Sequence, residues 1–335
     1  MKETHEYILS DLEAWVDDDQ APRVCWVSGM AGTGKSSIAH TLCERLDAKG
    51  TLGGSFFCTR SATALSDPSH IIPTVAWMLA RSSLRIRSEL CQVLEDHPDA
   101  ASLNVLREQV ELLVKRHLQK ALEGENKSYK VIIIDAIDEC SSQRKLESLI
   151  STICDEIPLK FLFSSRPEAW IEDAFSSKEK LSLKRFSLHD VTEESVRSDI
   201  KLFLESSLSG IARNRKRFLD SPDWPPNQEL IMLLDRSGGL FIYAATAMRY
   251  VGAPNVDFRE RLTEMTHTGP SSSLQTVSID RLYFKIMELA FRNLEAPERA
   301  RRRDILATVI FLHRPLSVDG IASLLTCINI KLKSI

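Results

Sequence analysis

The sequence predicts an α/β protein: a three-layer arrangement around a five-stranded parallel sheet, followed by an all-helical half. Three observations carry this. Short apolar runs without polar alternation recur before Thr192, as in strands buried on both faces of a parallel sheet. Segments with apolar residues three and four apart separate those runs, the period of helices that cross over between parallel strands. The first run leads straight into Gly29-Met30-Ala31-Gly32-Thr33-Gly34-Lys35-Ser36, which fits a glycine-rich phosphate-binding loop placed between a strand and a helix.

Taken in order, residues 4–17 read as a short amphipathic helix with Tyr7, Ile8, Leu12 and Trp15 apolar, ending at Asp17-Asp18-Asp19. Val24 to Val27 is the first strand. Beyond the glycine loop, Ile38, Leu42 and Leu46 mark one face of a helix. Gly54 to Cys58 is the second strand. Leu103, Leu106, Val110, Leu113 and His117 then recur at helical spacing, predicting a helix from Ser102 to Leu122 with His117 as a packing residue. A turn at Glu125 to Ser128 precedes the third strand, Val131 to Asp135. The fourth is Leu159 to Ser164, closed by Arg166-Pro167, and the fifth Leu181 to Phe186. From Thr192 onward helices dominate, with a loop at Asp220 to Pro226 and a linker at Gly269 to Ser273. No internal repeat is evident.

The 335 residues are 43% hydrophobic and 27% charged, the balance of a soluble globular protein with a sizeable core. A formal net charge of −3 exerts no general pull on nucleic acid or anionic membrane, so nucleic acid is not an expected partner. Two basic clusters, Arg213 to Arg217 and Arg299 to Arg303, lack interleaved aromatics and read as a solvated loop and a solvated helix face. The seven cysteines include no C-x-x-C pair and sit mostly in apolar segments, which favours reduced, buried thiols over disulfides or zinc. The N-terminus is too charged for a signal peptide, and no apolar run approaches the roughly 18 residues of a membrane span. A soluble, cytoplasmic protein is expected.

The chemistry concentrates at three places. In the first, the glycines let successive backbone N–H groups of Gly29, Met30, Ala31, Gly32, Thr33, Gly34, Lys35, Ser36 and Ser37 face phosphate oxygens, aided by the helix N-terminus. Lys35 reaches for the β- and γ-phosphates, and the Ser36 hydroxyl is a ligand for Mg²⁺. In the second, Asp135 ends a buried strand at the sheet edge where the loop opens, placed to hold the same metal directly or through water. Asp138 and Glu139 follow, one of them a candidate base for the attacking water. The competing reading is an acidic helix start stabilised by the dipole. In the third, Arg166 ends the next strand, close enough to sense or neutralise a γ-phosphate. The bland alternative for Arg166 is a surface arginine in a turn.

Together, Gly29 to Ser36, Asp135-Ala136-Ile137-Asp138-Glu139 and Phe161 to Pro167 resemble the NACHT domain of the STAND class of signalling P-loop NTPases. Ile8 to Trp15, Trp26 to Gly29, Gly238 to Ala244, Asp280 to Tyr283 and Arg314 to Ser317 are similar to its fungal, nephrocystin-like branch. The resemblance implies an ASCE-type sheet ordered fifth, first, fourth, third, second, then a helical lid and a winged-helix region. Mapped onto this chain, residues 1–22 are an N-terminal helix, 23–190 the nucleotide-binding domain, 191–268 the lid, and 269–335 a linker with the start of a winged helix. It implies a switch in signal transduction, innate immunity or fungal non-self recognition that binds ATP or GTP with Mg²⁺, hydrolyses it slowly and homo-oligomerises through the NACHT domain, its protein partners unknown.

Phe241 stands where relatives often carry a proline against the base, which leaves ATP versus GTP open. No Asn-Lys-x-Asp motif is present, which argues against an ordinary small G protein. Only 28 residues precede Gly29, and the winged-helix histidine of relatives has no counterpart, so a full switch is not expected from this polypeptide alone. Two other readings stay open: a truncated nucleotide-binding scaffold without hydrolysis, and a motor-type ATPase acting on nucleic acid or protein.

Overall fold

A computed structural model describes residues 4–103, 105–116, 118, 131–176, 183–214, 224–254, 256–267, 275–292, 294–312 and 316–333. Five parallel strands, β1 (Val24–Ser28), β2 (Leu52–Phe57), β3 (Val131–Asp135), β4 (Lys160–Ser165) and β5 (Leu183–Ser187), form one sheet in the order β2-β3-β4-β1-β5. Read from the opposite edge, this is the expected order. β1, β3 and β4 are buried along their whole length, while the edge strands β2 and β5 are half-covered.

Alternation along the central strands feeds two cores. Val24, Trp26, Ile132, Ile134, Phe161 and Phe163 face one side, against α3 (Ile71–Ser82), α4 (Leu84–Asp96), α5 (Gln143–Glu156) and α6 (Ala169–Ser176). Cys25, Val27, Val131, Ile133 and Leu162 face the other, against α1 (Glu6–Asp17) and α2 (Lys35–Ala48). Continuous apolar runs are what a sheet covered on both faces demands.

Lys160 breaks the apolar character of β4 for a local reason. Its buried ammonium donates to Trp15 O, to Asp18 O at 2.6 Å and to Val16 O at 3.3 Å, closing the C-terminus of α1, whose last carbonyls have no partner within the helix. Lys160→Met keeps the volume and removes the donors. We expect it to cost about 2–3 kcal/mol of stability, read as a lower denaturant midpoint at unchanged slope. An unchanged midpoint would mean that water replaces the ammonium there.

The helix expected from Ser102 starts later. A 3₁₀ turn covers Ala100–Ser102, Val105 is extended, and the helix runs from Leu106–Val110 into a π turn at Glu111–Lys115. Leu103 continues the apolar period without belonging to the helix. Buried Gln109 donates from Nε2 to Ala101 O at 2.9 Å and holds the preceding turn in place. His117 and the turn at 125–128 lie outside the described residues.

The helical half has its own core. Ile200, Leu204 and Leu208 of α7 (Glu193–Asn214) pack with Leu230 and Leu233 of α8 (Asn227–Ser237), Phe241, Ala244 and Val251 of α9 (Phe241–Val251), and Phe258 and Leu262 of α10 (Phe258–His267). α11 (Gln275–Phe291), α12 (Ala296–Phe311) and α13 (Val318–Lys333) follow. The linker at 269–273 and most of the first basic cluster lie outside the described residues. The second cluster is exposed on α12, where Arg302 pairs with Glu298 at 2.6 Å. No helix among the described residues is long and apolar enough to cross a membrane.

Candidate functional site

The C-terminal edge of the sheet gathers every predicted site residue. β1 ends at Ser28 and α2 begins at Lys35, so Gly29 to Gly34 form the intervening loop, tied to β4 where Gly29 N donates to Ser165 O at 3.2 Å. Gly32 (φ 78°) and Gly34 (φ 98°) adopt backbone conformations that side chains resist. Space excludes them too: a Cβ at Gly32 would lie 2.4 Å from Ile242 Cγ2, and one at Gly34 2.7 Å from His5 Nε2. Thr33 Oγ1 donates to Met30 O at 2.9 Å. Lys35 Nζ folds back on the loop, donating to Gly29 O at 2.6 Å and Met30 O at 2.9 Å. Burial lowers the Lys35 pKa, opposed by the charges of Asp138 and Asp135.

Asp135, buried at the end of β3, accepts from the Ser164 hydroxyl of β4, and the Ser36 hydroxyl of the loop helix also favours its charged form. Burial raises its pKa, while those two hydroxyls and the Lys35 charge work against the rise. Ser164 Oγ in turn accepts from Ala136 N at 3.0 Å. Ala136 takes a left-handed conformation (φ 55°), a strain of about 1–2 kcal/mol for a residue with a Cβ. That kink turns the chain into a 3₁₀ turn, Ile137–Glu139, and brings the next two carboxylates to the same edge.

The two carboxylates differ in what holds them. Asp138 is buried and gripped by Arg166, whose backbone N donates to Oδ1 at 3.2 Å and whose Nε lies 3.3 Å from Oδ2. Glu139 is partly exposed, and its Oε2 accepts from Arg60 N at 3.1 Å. Arg60 also donates from Nη2 to Asp138 O at 2.9 Å. Arg166 is anchored from behind: Trp26 Nε1 donates to Ser165 Oγ at 2.8 Å, and Ser165 Oγ donates to Arg166 O at 2.8 Å. The sequence singles out Arg166 but not Arg60. The available signal was its place just past β2, the strand paired with β3.

Two further elements close over the loop. The N-terminus of α9 sits directly on it, Ile242 N donating to Gly32 O at 3.3 Å. His5, unremarked in the sequence, fills the space beside Gly34. Its backbone N donates to Asp199 Oδ2 at 3.0 Å, its Nδ1 lies 3.5 Å from that oxygen, and its ring packs at a tilt against Phe241, centroids 4.7 Å apart. His5 Nε2 and Thr4 Oγ1 are buried, with no hydrogen-bond partner among the described residues. Burial lowers the His5 pKa, opposed by Asp199. A cavity of about 280 Å³ opens next to His5, which walls it with Ile8, Met30, Leu188, Val196 and Leu240.

The donor set fits Mg²⁺. The Ser36 hydroxyl and the Asp135 carboxylate are hard oxygen donors, near enough that Ser36 works against the rise in the Asp135 pKa, and no group of three or more His, Cys, Asp or Glu forms a metal cage among the described residues. Magnesium is characteristically held by one or two protein oxygens plus phosphate oxygens and water. The orphaned His5 Nε2 adds a buried polar atom beside Gly34 of the loop that lacks a partner. Glycine loop, strand-end aspartate and sheet order together are the P-loop NTPase fold.

Residues 3–166 match the family model described as the N-terminal region of nephrocystin 3. No curated protein matches the chain. Among solved structures, the chain is similar to domain III of the replication initiation protein DnaA from Thermotoga maritima: 10% identity, 80% of this chain and 95% of that one covered, TM-score 0.41. It is similar to a structure of Drosophila ORC bound to DNA, at 11% identity, with 93% and 69% covered and a TM-score of 0.40. It is similar to the Holliday junction branch migration motor RuvB from Thermotoga maritima, at 14% identity, with 96% and 80% covered and a TM-score of 0.35. The expectation that nucleic acid is not a partner draws no support from these matches.

Proposed function

We propose that this P-loop NTPase is a NACHT-type switch that binds ATP or GTP with Mg²⁺, hydrolyses it slowly and couples the bound nucleotide to its helical lid, in signal transduction or fungal non-self recognition. The observation that carries this reading is the seating of the lid on the phosphate loop. Ile242 N donates to Gly32 O, Phe241 packs against the His5 ring, and His5 in turn engages Asp199 of α7. A loop that reshapes around phosphate then has a direct mechanical connection to α7 and α9.

In this reading the amides of Gly29 to Ser37 and the Lys35 ammonium hold the phosphates, with Ser36 and Asp135 holding the metal. When bound, Mg²⁺ neutralises charge on the phosphate oxygens. Glu139 orients the attacking water. Arg166 is poised on Asp138, half-exposed, to neutralise charge developing on the γ-phosphate. The base occupies the cavity beside His5 and Leu240. Homo-oligomerisation through the nucleotide-binding domain belongs to the same proposal.

The test is thermal unfolding with ADP, ATP, GDP and GTP, each with and without Mg²⁺, alongside a phosphate-release assay. At a hundredfold excess over its dissociation constant, the cognate Mg²⁺-nucleotide should add about 2.7 kcal/mol of stability. No shift with any nucleotide would sink the proposal. A shift without phosphate release above the Lys35→Ala background would replace the switch with the scaffold reading.

A further inference from the structure

We infer that Cys58 and Cys140 form a reversible disulfide, a redox-modification site beside the acidic turn whose oxidant is a peroxide. Both thiols are free and in contact, with Sγ atoms 3.4 Å apart. They are separated by 82 residues in sequence, so the contact is made by the fold and not by chain proximity. The backbone fixes each partner. Cys58 N donates to Asp135 O at 3.0 Å, Cys140 N to Ile137 O at 3.3 Å, and Ser141 N to Ser66 O at 2.7 Å. Bond formation requires the sulfurs to close by about 1.4 Å. The pair is also unequal: Cys58 is buried, whereas Cys140 keeps partial contact with solvent.

That inequality orders the chemistry. The accessible Cys140 thiol reduces hydrogen peroxide, giving a sulfenic acid and one water. Cys58 sulfur then attacks the sulfenic sulfur, and the hydroxyl leaves with the Cys58 proton as a second water. The peroxide is reduced, both sulfurs are oxidised by one electron each, and a thiol reductant reverses the bond. Cys25 and Cys43 are buried on the opposite face of the sheet, and Cys91 is exposed on α4, so Cys91 serves as an internal control for oxidant exposure.

The disulfide would staple the segment carrying Arg60 to the turn carrying Glu139, which already meet through Arg60 N and Glu139 Oε2. Resting on the proposed function, we expect the staple to hold Glu139 away from the water it orients. Phosphate release should then fall about ten- to a hundredfold, the scale on which ångström misplacements of a positioning group register, with nucleotide binding retained.

The experiment treats the full chain with hydrogen peroxide and maps peptides without reduction. A Cys58–Cys140 linked peptide that dithiothreitol splits supports the site. Modification of Cys91 with Cys58 and Cys140 both left free overturns it, and neither result depends on nucleotide. Phosphate release is then compared before oxidation, after oxidation and after reduction, in the wild type and in Cys140→Ser. A linked peptide with unchanged release overturns the staple's effect on turnover. Absence of nucleotide binding in the reduced protein overturns the proposed function and leaves the disulfide standing.

Discussion

Lys35→Ala should weaken nucleotide binding by about a hundredfold or more and remove phosphate release altogether. The wild-type ammonium already donates to Gly29 O and Met30 O, so it is preorganised at the mouth of the loop and needs little rearrangement to meet a phosphate. Each hydrogen bond from a charged donor contributes about 1.5–3 kcal/mol. Losing two such bonds to phosphate oxygens therefore costs about 3 kcal/mol or more, which is about two decades in the dissociation constant. Burial lowers the Lys35 pKa, and the charges of Asp138 and Asp135 oppose that; a phosphate would reinforce the opposition and favour the charged form. Isothermal titration of the variant, with melting compared to wild type, gives the answer. An affinity within about threefold of wild type, well under 1 kcal/mol, would remove Lys35 from the phosphate site.

The parts of this site that depend on local pattern are legible in the sequence, and the parts that depend on tertiary meeting are not. β1, β3 and β4 announce themselves because strands covered on both faces are apolar along most of their length, and the glycine loop because its φ values and close contacts at Gly32 and Gly34 admit nothing larger. The edge strands slip at their ends: β2 begins at Leu52, and β5 extends to Ser187, since half-covered strands tolerate mixed residues. Leu103 continues the apolar period of a helix that neither it nor Ser102 joins, because Val105 is extended. His5 carries no sequence signal. Its meeting with Gly34, Asp199 and Phe241 joins residues far apart in the chain, and only the docking of α1 against α7 and α9 brings them together. Lys160 reads as an interruption in an apolar run until α1 is seen ending above it.

Asp138 and Glu139 are adjacent and equivalent on paper, and the fold separates their roles in a way that mutation should reproduce. A carboxylate that orients or deprotonates water needs a free oxygen facing the reacting edge. Both Asp138 oxygens are engaged by Arg166, and its side chain is 4% exposed. Glu139 is partly exposed, and among the described residues the only hydrogen bond it accepts is from Arg60 N, to Oε2. Glu139→Gln should therefore reduce phosphate release by about a hundredfold to ten-thousandfold, the range of general acid–base contributions, while the nucleotide dissociation constant changes by less than about threefold. Asp138→Asn should act differently. It weakens the grip on Arg166 and costs about 1–2 kcal/mol of stability, because the half-exposed guanidinium can turn to water while the amide keeps one acceptor for the backbone N–H. Its turnover should fall through misplacement of Arg166 and recover in part when the lost stability is restored by cooling or saturating nucleotide. If instead Glu139→Gln turns over normally and Asp138→Asn is dead at wild-type stability, the base is Asp138, and the Arg166 pair is a resting state that the nucleotide must break.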